Sequence, residues 1–184
     1  MFRLCKRDGV GGTAALEDET YFETCCASIC QSRTWAAGEL KRLGFSGATA
    51  SFELKLAQIR DLSKAIPTEL IAYGRLPLMI TENCIIHNHS GQHTCSNVNL
   101  LTDRKGERFP VVQAYGCRNE ILNSKKLFLA DRTQDYGRLG LWAARLMFTT
   151  ENAMECAQVL ERYLGQGSYQ PNEYTRGLYY RDVE

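Results

Sequence analysis

All three histidines of this chain fall in one window bracketed by two cysteines, Cys84-Ile-Ile-His87-Asn-His89-Ser-Gly-Gln-His93-Thr-Cys95. Thiolate and imidazole are the side chains that hold borderline and soft metal ions. A further cysteine, Cys117, follows in Tyr115-Gly116-Cys117-Arg118. A metal or cluster site constrains a fold strongly, because its ligands must be brought together and held by folding. The candidate ligands are Cys84, His93, Cys95 and Cys117. His93 and Cys95 are two apart, so on an extended strand both face the same way and reach one ion. Four such ligands make a tetrahedral shell of three cysteines and one histidine, which suits zinc; three or four can also hold an iron–sulfur cluster. His87 and His89 are the rivals of His93, or act as hydrogen-bond donors behind the ligands, as proton carriers or as plain loop residues.

Eight cysteines in 184 residues raise the question of compartment. The N-terminus, Met1-Phe2-Arg3-Leu4-Cys5-Lys6-Arg7, is basic but lacks the apolar core of a secretory signal. The chain therefore reads as cytoplasmic, where cysteines bind metals or stay as thiols; disulfide pairing is the alternative. Lys+Arg 22 against Asp+Glu 21 leaves a net charge of +1. That argues against a bulk electrostatic grip on nucleic acid, although a local basic cluster can still act. No run of about 18 apolar residues is present, which argues against a membrane-spanning helix. The length suits one domain with a core of its own.

Residues 1–30 carry scattered glycines and Cys25, Cys26 and Cys30 without a clear period, and are expected to be irregular. Ser32 is placed to cap a helix through Leu43, which Gly44 ends. Gly47–Ser51 is short and β-prone. Glu53–Ala65 is amphipathic, with Leu54, Ala57, Ile59, Leu62 and Ile66 near helical spacing, and Pro67 stops it. Glu69–Tyr73 reads as a buried strand. Helix, strand, helix and strand joined by short turns imply a parallel, right-handed α/β unit. Val98–Thr102 and Phe109–Gln113 flank the turn-rich Asp103-Arg104-Lys105-Gly106 and read as a β-hairpin. Lys126–Ala130 and Arg145–Thr149 read as strands. Thr150–Leu164 reads as a helix with Met154, Ala157, Leu160 and Leu164 on its apolar face. The tail, residues 165–184, is expected to be extended.

Three charged residues stand near the candidate ligands. Arg75 follows the buried strand, at the strand end where ligands bind in parallel α/β folds. Arg118 adjoins Cys117, and Glu82 precedes Cys84 by two. Arg75 and Arg118 are candidates for holding an anionic substrate group, and Glu82 for proton transfer. An ion pair between Glu82 and one of the arginines is the plainer alternative. The basic loop 103–108 reads first as a solvated hairpin tip, with phosphate contact as its functional alternative.

Tyr73-Gly-Arg-Leu-Pro-Leu-Met79, Cys84, Leu101-Thr-Asp-Arg-Lys-Gly106, Phe109-Pro110 and Gly116-Cys-Arg-Asn119 occur in an order that resembles the collagenase-like peptidases of unknown catalytic type, U-type family 32. The resemblance runs from about residue 33 to the C-terminus and is strongest over 73–131. It implies a TIM-barrel-like core with a cysteine cluster near the strand ends. It implies either peptidase activity or hydroxylation of RNA bases or a quinone precursor with a [4Fe–4S] cluster. Carried onto this chain, Cys84, Cys95 and Cys117 fall on family cysteines, and His93 stands where a fourth is expected. Zinc, or a cluster held by three cysteines and a histidine, is therefore the alternative to a four-cysteine cluster.

A full barrel takes about 250 residues, and only two strand–helix units precede the cysteine region here. The expectation is the C-terminal part of such a fold. It has an atypical segment 1–30, α/β units over 31–82, a Cys/His metal region with its hairpin over 83–131, and a strand, helix and tail over 132–184. Three functions follow. The first is a Cys-ligated iron–sulfur or zinc centre acting in hydroxylation of RNA bases or a related substrate. The second is a metal-dependent or atypical peptidase acting on protein, although neither HExxH nor GxSxG is present. The third is a structural metal module without activity. Self-association or a missing N-terminal half of the barrel would cover open strand edges.

Overall fold

The computed structural model describes residues 19–62, 64–94 and 97–180. The first helix, α1, spans Glu19–Arg42. It starts well before Ser32, so residues 19–30 are helical where irregular chain was expected. No glycine or proline interrupts the sequence between Glu19 and Gly38. The hydroxyls of Thr24, Ser32 and Thr34 donate back to the carbonyls of Thr20, Ser28 and Cys30. Ser32 thus bonds inside the helix instead of capping it. Gly44 ends α1 as expected, with φ +83° and paired bonds from Gly44 N to Lys41 O and Phe45 N to Leu40 O.

Strand β1 (Ala48–Thr49) pairs in parallel with β2 (Thr68–Gly74), and α2 (Leu56–Arg60) connects them. The expected α/β unit is present, but its helix is far shorter than Glu53–Ala65. The Lys64 ammonium ends it early by binding the carbonyls of Ile59 at 2.6 Å and Leu62 at 2.9 Å. The apolar run of β2 is buried along nearly its whole length. One edge carries β8 (Ala143–Met147), parallel to β2 over Glu69–Gly74. The other carries β1 at its start and β7 (Lys126–Phe128), antiparallel, at its end. Strand β9 (Tyr174–Thr175) follows β7 in parallel, so the tail is a packed edge.

The protein is thus mixed α/β. The expected series of parallel strand–helix units is present only in part, since β7 and β9 run against β2. Among the described residues the strands do not close into a barrel.

The reversal has a specific cause. After β2 the chain continues into β3 (Pro77–Thr81), which belongs to a second, antiparallel sheet of order β3-β6-β5-β4. Here β4 is Asn99–Thr102, β5 Arg108–Gln113 and β6 Asn119–Leu122. Strand β6 then leads back into β7. Strands β2–β3 and β6–β7 therefore form one antiparallel ribbon that crosses from the first sheet to the second. The expected hairpin is β4–β5, and Asp103 folds its turn by accepting the amides of Lys105 and Glu107.

A short helix, α4 (Thr133–Gly137), and α5 (Ala153–Tyr163) cover the first sheet. Helix α5 starts with a capping box between Asn152 and Glu155, near the expected position. Its expected apolar face points outward: Met154, Leu160 and Leu164 are 68%, 50% and 63% exposed. The inward face is Glu155, Cys156, Val159, Arg162 and Tyr163. Specific bonds set this rotation. Glu155 meets Lys126 at 3.2 Å, and the Tyr163 hydroxyl donates to Ala72 O at 2.7 Å while accepting from Leu129 N. No helix among the described residues is long and apolar enough to cross a membrane.

Two positions test this packing. Gly74 has φ +122°, and a Cβ there would run into the Met147 carbonyl of β8. Gly74→Ala is expected to cost more than about 2 kcal/mol in chemical denaturation. Glu151 is buried beneath Lys126, 3.0 Å away. Burial opposes its ionisation, but the Thr149 amide and the Lys126 ammonium outweigh it and hold the carboxyl below its ordinary value. A depressed folded value means that the stabilisation is present above the unfolded value and lost as pH falls through the folded one. Stability should therefore decline as pH drops below about 4. Lys126→Met should cost about 3–5 kcal/mol at neutral pH and shift that decline to higher pH.

Candidate metal centre

The second sheet presents one end to solvent, and three segments meet there: the exit of β3, the stretch after the following helix, and the β5–β6 loop. Cys84 precedes α3 (Ile85–Ser90) as its N-cap, its sulfur accepting from His87 N at 3.4 Å. Asn119, fully buried at the start of β6, accepts from Ile85 N at 2.8 Å. Its own amide donates to the Thr81 hydroxyl at 3.2 Å, which in turn donates to Asn83 O at 2.6 Å. These bonds fix the backbone on both sides of Cys84. Helix α3 ends at Gly91, with φ +70°, and turns the chain back so that His93 faces Cys117. Cys117 lies in the β5–β6 loop, closed by Ala114 N to Arg118 O at 2.9 Å and turned at Gly116, φ +72°.

The result is convergence. His93 Nδ1 is 3.2 Å from Cys117 Sγ. The ligand atoms of Cys84, His93 and Cys117 all lie within 4.8 Å of one another. With metal–sulfur bonds near 2.3 Å, a tetrahedral ion needs its donors roughly 3.5–3.8 Å apart, so a small contraction brings these three to bonding distance of one ion. Two thiols and an imidazole are a donor set that soft and borderline ions select. Cys84 is buried, while His93 and Cys117 are exposed. No disulfide joins the described cysteines. The three donors fit a metal ion on both chemistry and spacing.

The donors line an open cleft of about 560 Å³, with Glu82, His87, Tyr115 and Arg118 among its walls. His87 stacks on His93, ring centroids 4.1 Å apart and 11° from parallel. It thus lies against a ligand ring without joining the three-donor group. His89 does not line the cleft. Glu82 and Arg118 do, and they bind each other through contacts of 2.7 and 3.1 Å at an exposed position. The plainer reading of the two, an ion pair, is what the side chains form.

Arg75 is placed elsewhere. Its guanidinium donates to Asn123 O at 2.9 Å, to Ser124 O and to Thr150 Oγ1 at 3.3 Å, and it does not line the cleft. Cys95 lies outside the described residues. The loop 103–108 is a hairpin tip of largely exposed residues. Sequence reasoning missed Asn119 and Thr81. The available signal was the spacing of Asn119 two residues after Cys117, where a strand begins.

Comparison of the chain with protein-family models, curated proteins and solved structures finds no match.

Asn119 gives a test of how the centre is held. Residues that orient metal ligands typically matter by about 10–100-fold in metal affinity. Asn119→Ala is expected to weaken zinc binding by about that range in a chelator competition titration, whereas Asn88→Ala, at the rim of the same cleft, should leave it unchanged.

Proposed function

We propose that this chain is the metal-bearing C-terminal part of a protein resembling the collagenase-like U-type family 32. Its centre is held by Cys84, His93 and Cys117, with Cys95 as fourth ligand. The whole protein acts in hydroxylation of RNA bases or a related substrate. The observation that carries this is the convergence of two thiols and one imidazole from three separate segments within 4.8 Å. Such closeness suits a single ion, because an iron–sulfur cluster spreads its thiolates around several atoms. Zinc is therefore the first identity and a [4Fe–4S] cluster the second. Bound zinc would supply Lewis acidity if one position stays open, or structural closure if Cys95 fills it, but no redox chemistry; the oxidation that hydroxylation requires would come only with the cluster.

The chain's own residues would do the rest. Arg118 at the cleft rim would take an anionic substrate group in bidentate fashion once released from Glu82, and Glu82 would then be available for proton transfer. Arg75 has no place in this scheme. The closing section of a TIM-barrel-like fold draws support from β1 and β8, parallel to β2, and not from antiparallel β7 and β9; further parallel strands would join at the outer edges of β1 and β8. A separate N-terminal half or a second copy of the chain would cover those edges. A cytoplasmic setting would keep the ligating thiols reduced. A second reading, an atypical peptidase, draws support from Glu82 lining the same open cleft as the donors.

The deciding experiment is anaerobic purification with an absorption spectrum and iron, sulfide and zinc analysis. The expected result is stoichiometric zinc without colour, lost in Cys84→Ser. Broad visible absorption with iron and sulfide would replace zinc by a cluster. Absence of every metal, or unchanged metal content in Cys84→Ser, would sink the ligand assignment. Gelatin cleavage without RNA present would favour the peptidase.

A further inference from the structure

We infer that Cys84 and Cys117 form a redox-active dithiol: a hydroperoxide joins them as a disulfide, and the oxidised form releases the metal. The inference rests on the metal reading for its second half only. Its first half rests on geometry. The two sulfurs lie within 4.8 Å of each other, on segments far apart in sequence. A disulfide needs about 2.05 Å between sulfurs, so the gap closes by a local movement. The two sides differ in their freedom to make it. Cys84 is buried and its backbone is clamped through Asn119. Cys117 is exposed in the short β5–β6 loop, beside Gly116 in the left-handed region. The loop can bring Cys117 to Cys84 while the clamped side stays in place.

Exposure also sets the order of events. Cys117 faces the open cleft, so the oxidant meets it first, and Cys84 waits behind it as the resolving thiol. The Cys117 sulfur attacks one peroxide oxygen; an S–O bond forms, the O–O bond breaks, and the departing alkoxide takes up the thiol proton to leave as an alcohol. The Cys84 sulfur then attacks the Cys117 sulfur; an S–S bond forms, the S–O bond breaks, and hydroxide leaves. It takes up the proton of Cys84 and departs as water. Two thiols lose two electrons and two protons, and the hydroperoxide becomes an alcohol and water. Both sulfurs are then spent as ligands, leaving His93 alone of the three donors.

The test treats the reduced protein, with and without one equivalent of zinc, with stoichiometric hydrogen peroxide. Intact mass, tryptic mapping and a colorimetric zinc chelator are the readouts. The expected product has lost two hydrogens and links peptide 76–104 to peptide 109–118. Fragmentation of the linked pair should place the bond at Cys84 and not at Cys95. Zinc release should track the link, and a thiol reductant should restore binding. The link should persist in Cys95→Ser and vanish in Cys84→Ser. Oxidation that stops at sulfinic acid on Cys117, or a link made through Cys95, overturns the dithiol even if zinc binds. A Cys84–Cys117 link in a protein that never bound zinc supports the dithiol and sinks the metal reading instead.

Discussion

The two sheets of this protein hang from one crossing ribbon, β2–β3 against β6–β7, and the ribbon depends on Arg75. Where it passes from one sheet to the other the ladder is interrupted, and carbonyl groups at the turn before β7 are left to find donors in a half-buried place. A single guanidinium binds Asn123 O, Ser124 O and the Thr150 hydroxyl together. The Leu76 carbonyl takes Asn123 N at 2.8 Å alongside. Because the ribbon is antiparallel, β7 must run against β2. The first sheet is therefore mixed and not all-parallel, and its reversal falls where the chain crosses into the second sheet.

The same ribbon explains where the donors come to lie. Its far end is the exit of β3 and the entry of β6, paired as Thr81 with Asn119. Cys84 follows the first by three residues and Cys117 precedes the second by two. Once the ribbon is in register, those two sulfurs approach whatever the intervening loops do. His93 arrives by a different route, through a helix of six residues closed by Gly91. Two donors are thus set by strand register and one by a helical turn.

Much of this was legible in the sequence, for identifiable reasons. The donor set was legible because cysteine and histidine carry their chemistry in their residue type. The β4–β5 hairpin was legible because Asp103 and Gly106 each have one obvious use in a turn. Strand β2 was legible from its unbroken apolar run. The role of Arg75 was not: an arginine after a strand reads alike whether it binds a substrate anion or two backbone carbonyls. The first half of α1 was hidden because serine, threonine and cysteine have weak helical preference, and only their back-bonding to the preceding turn shows how they fit.

Helix α5 is the most instructive failure. Met154, Ala157, Leu160 and Leu164 do fall at helical spacing, and hydrophobicity alone would turn them inward. The rotation is set instead by Glu155 reaching Lys126 and by the Tyr163 hydroxyl lying between Ala72 O and Leu129 N. A largely buried ammonium or a buried backbone group left without its partner costs more than an exposed leucine does. The outcome is an apolar stripe on the surface of a helix that directly follows β8. Strand β8 has one partner among the described strands, and Trp142 at its start is 73% exposed. The opposite edge is finished differently: β9 is short, and Arg176 beside it is paired to Asp131. Polar satisfaction on one face of α5 has therefore moved the exposed apolar surface to the other.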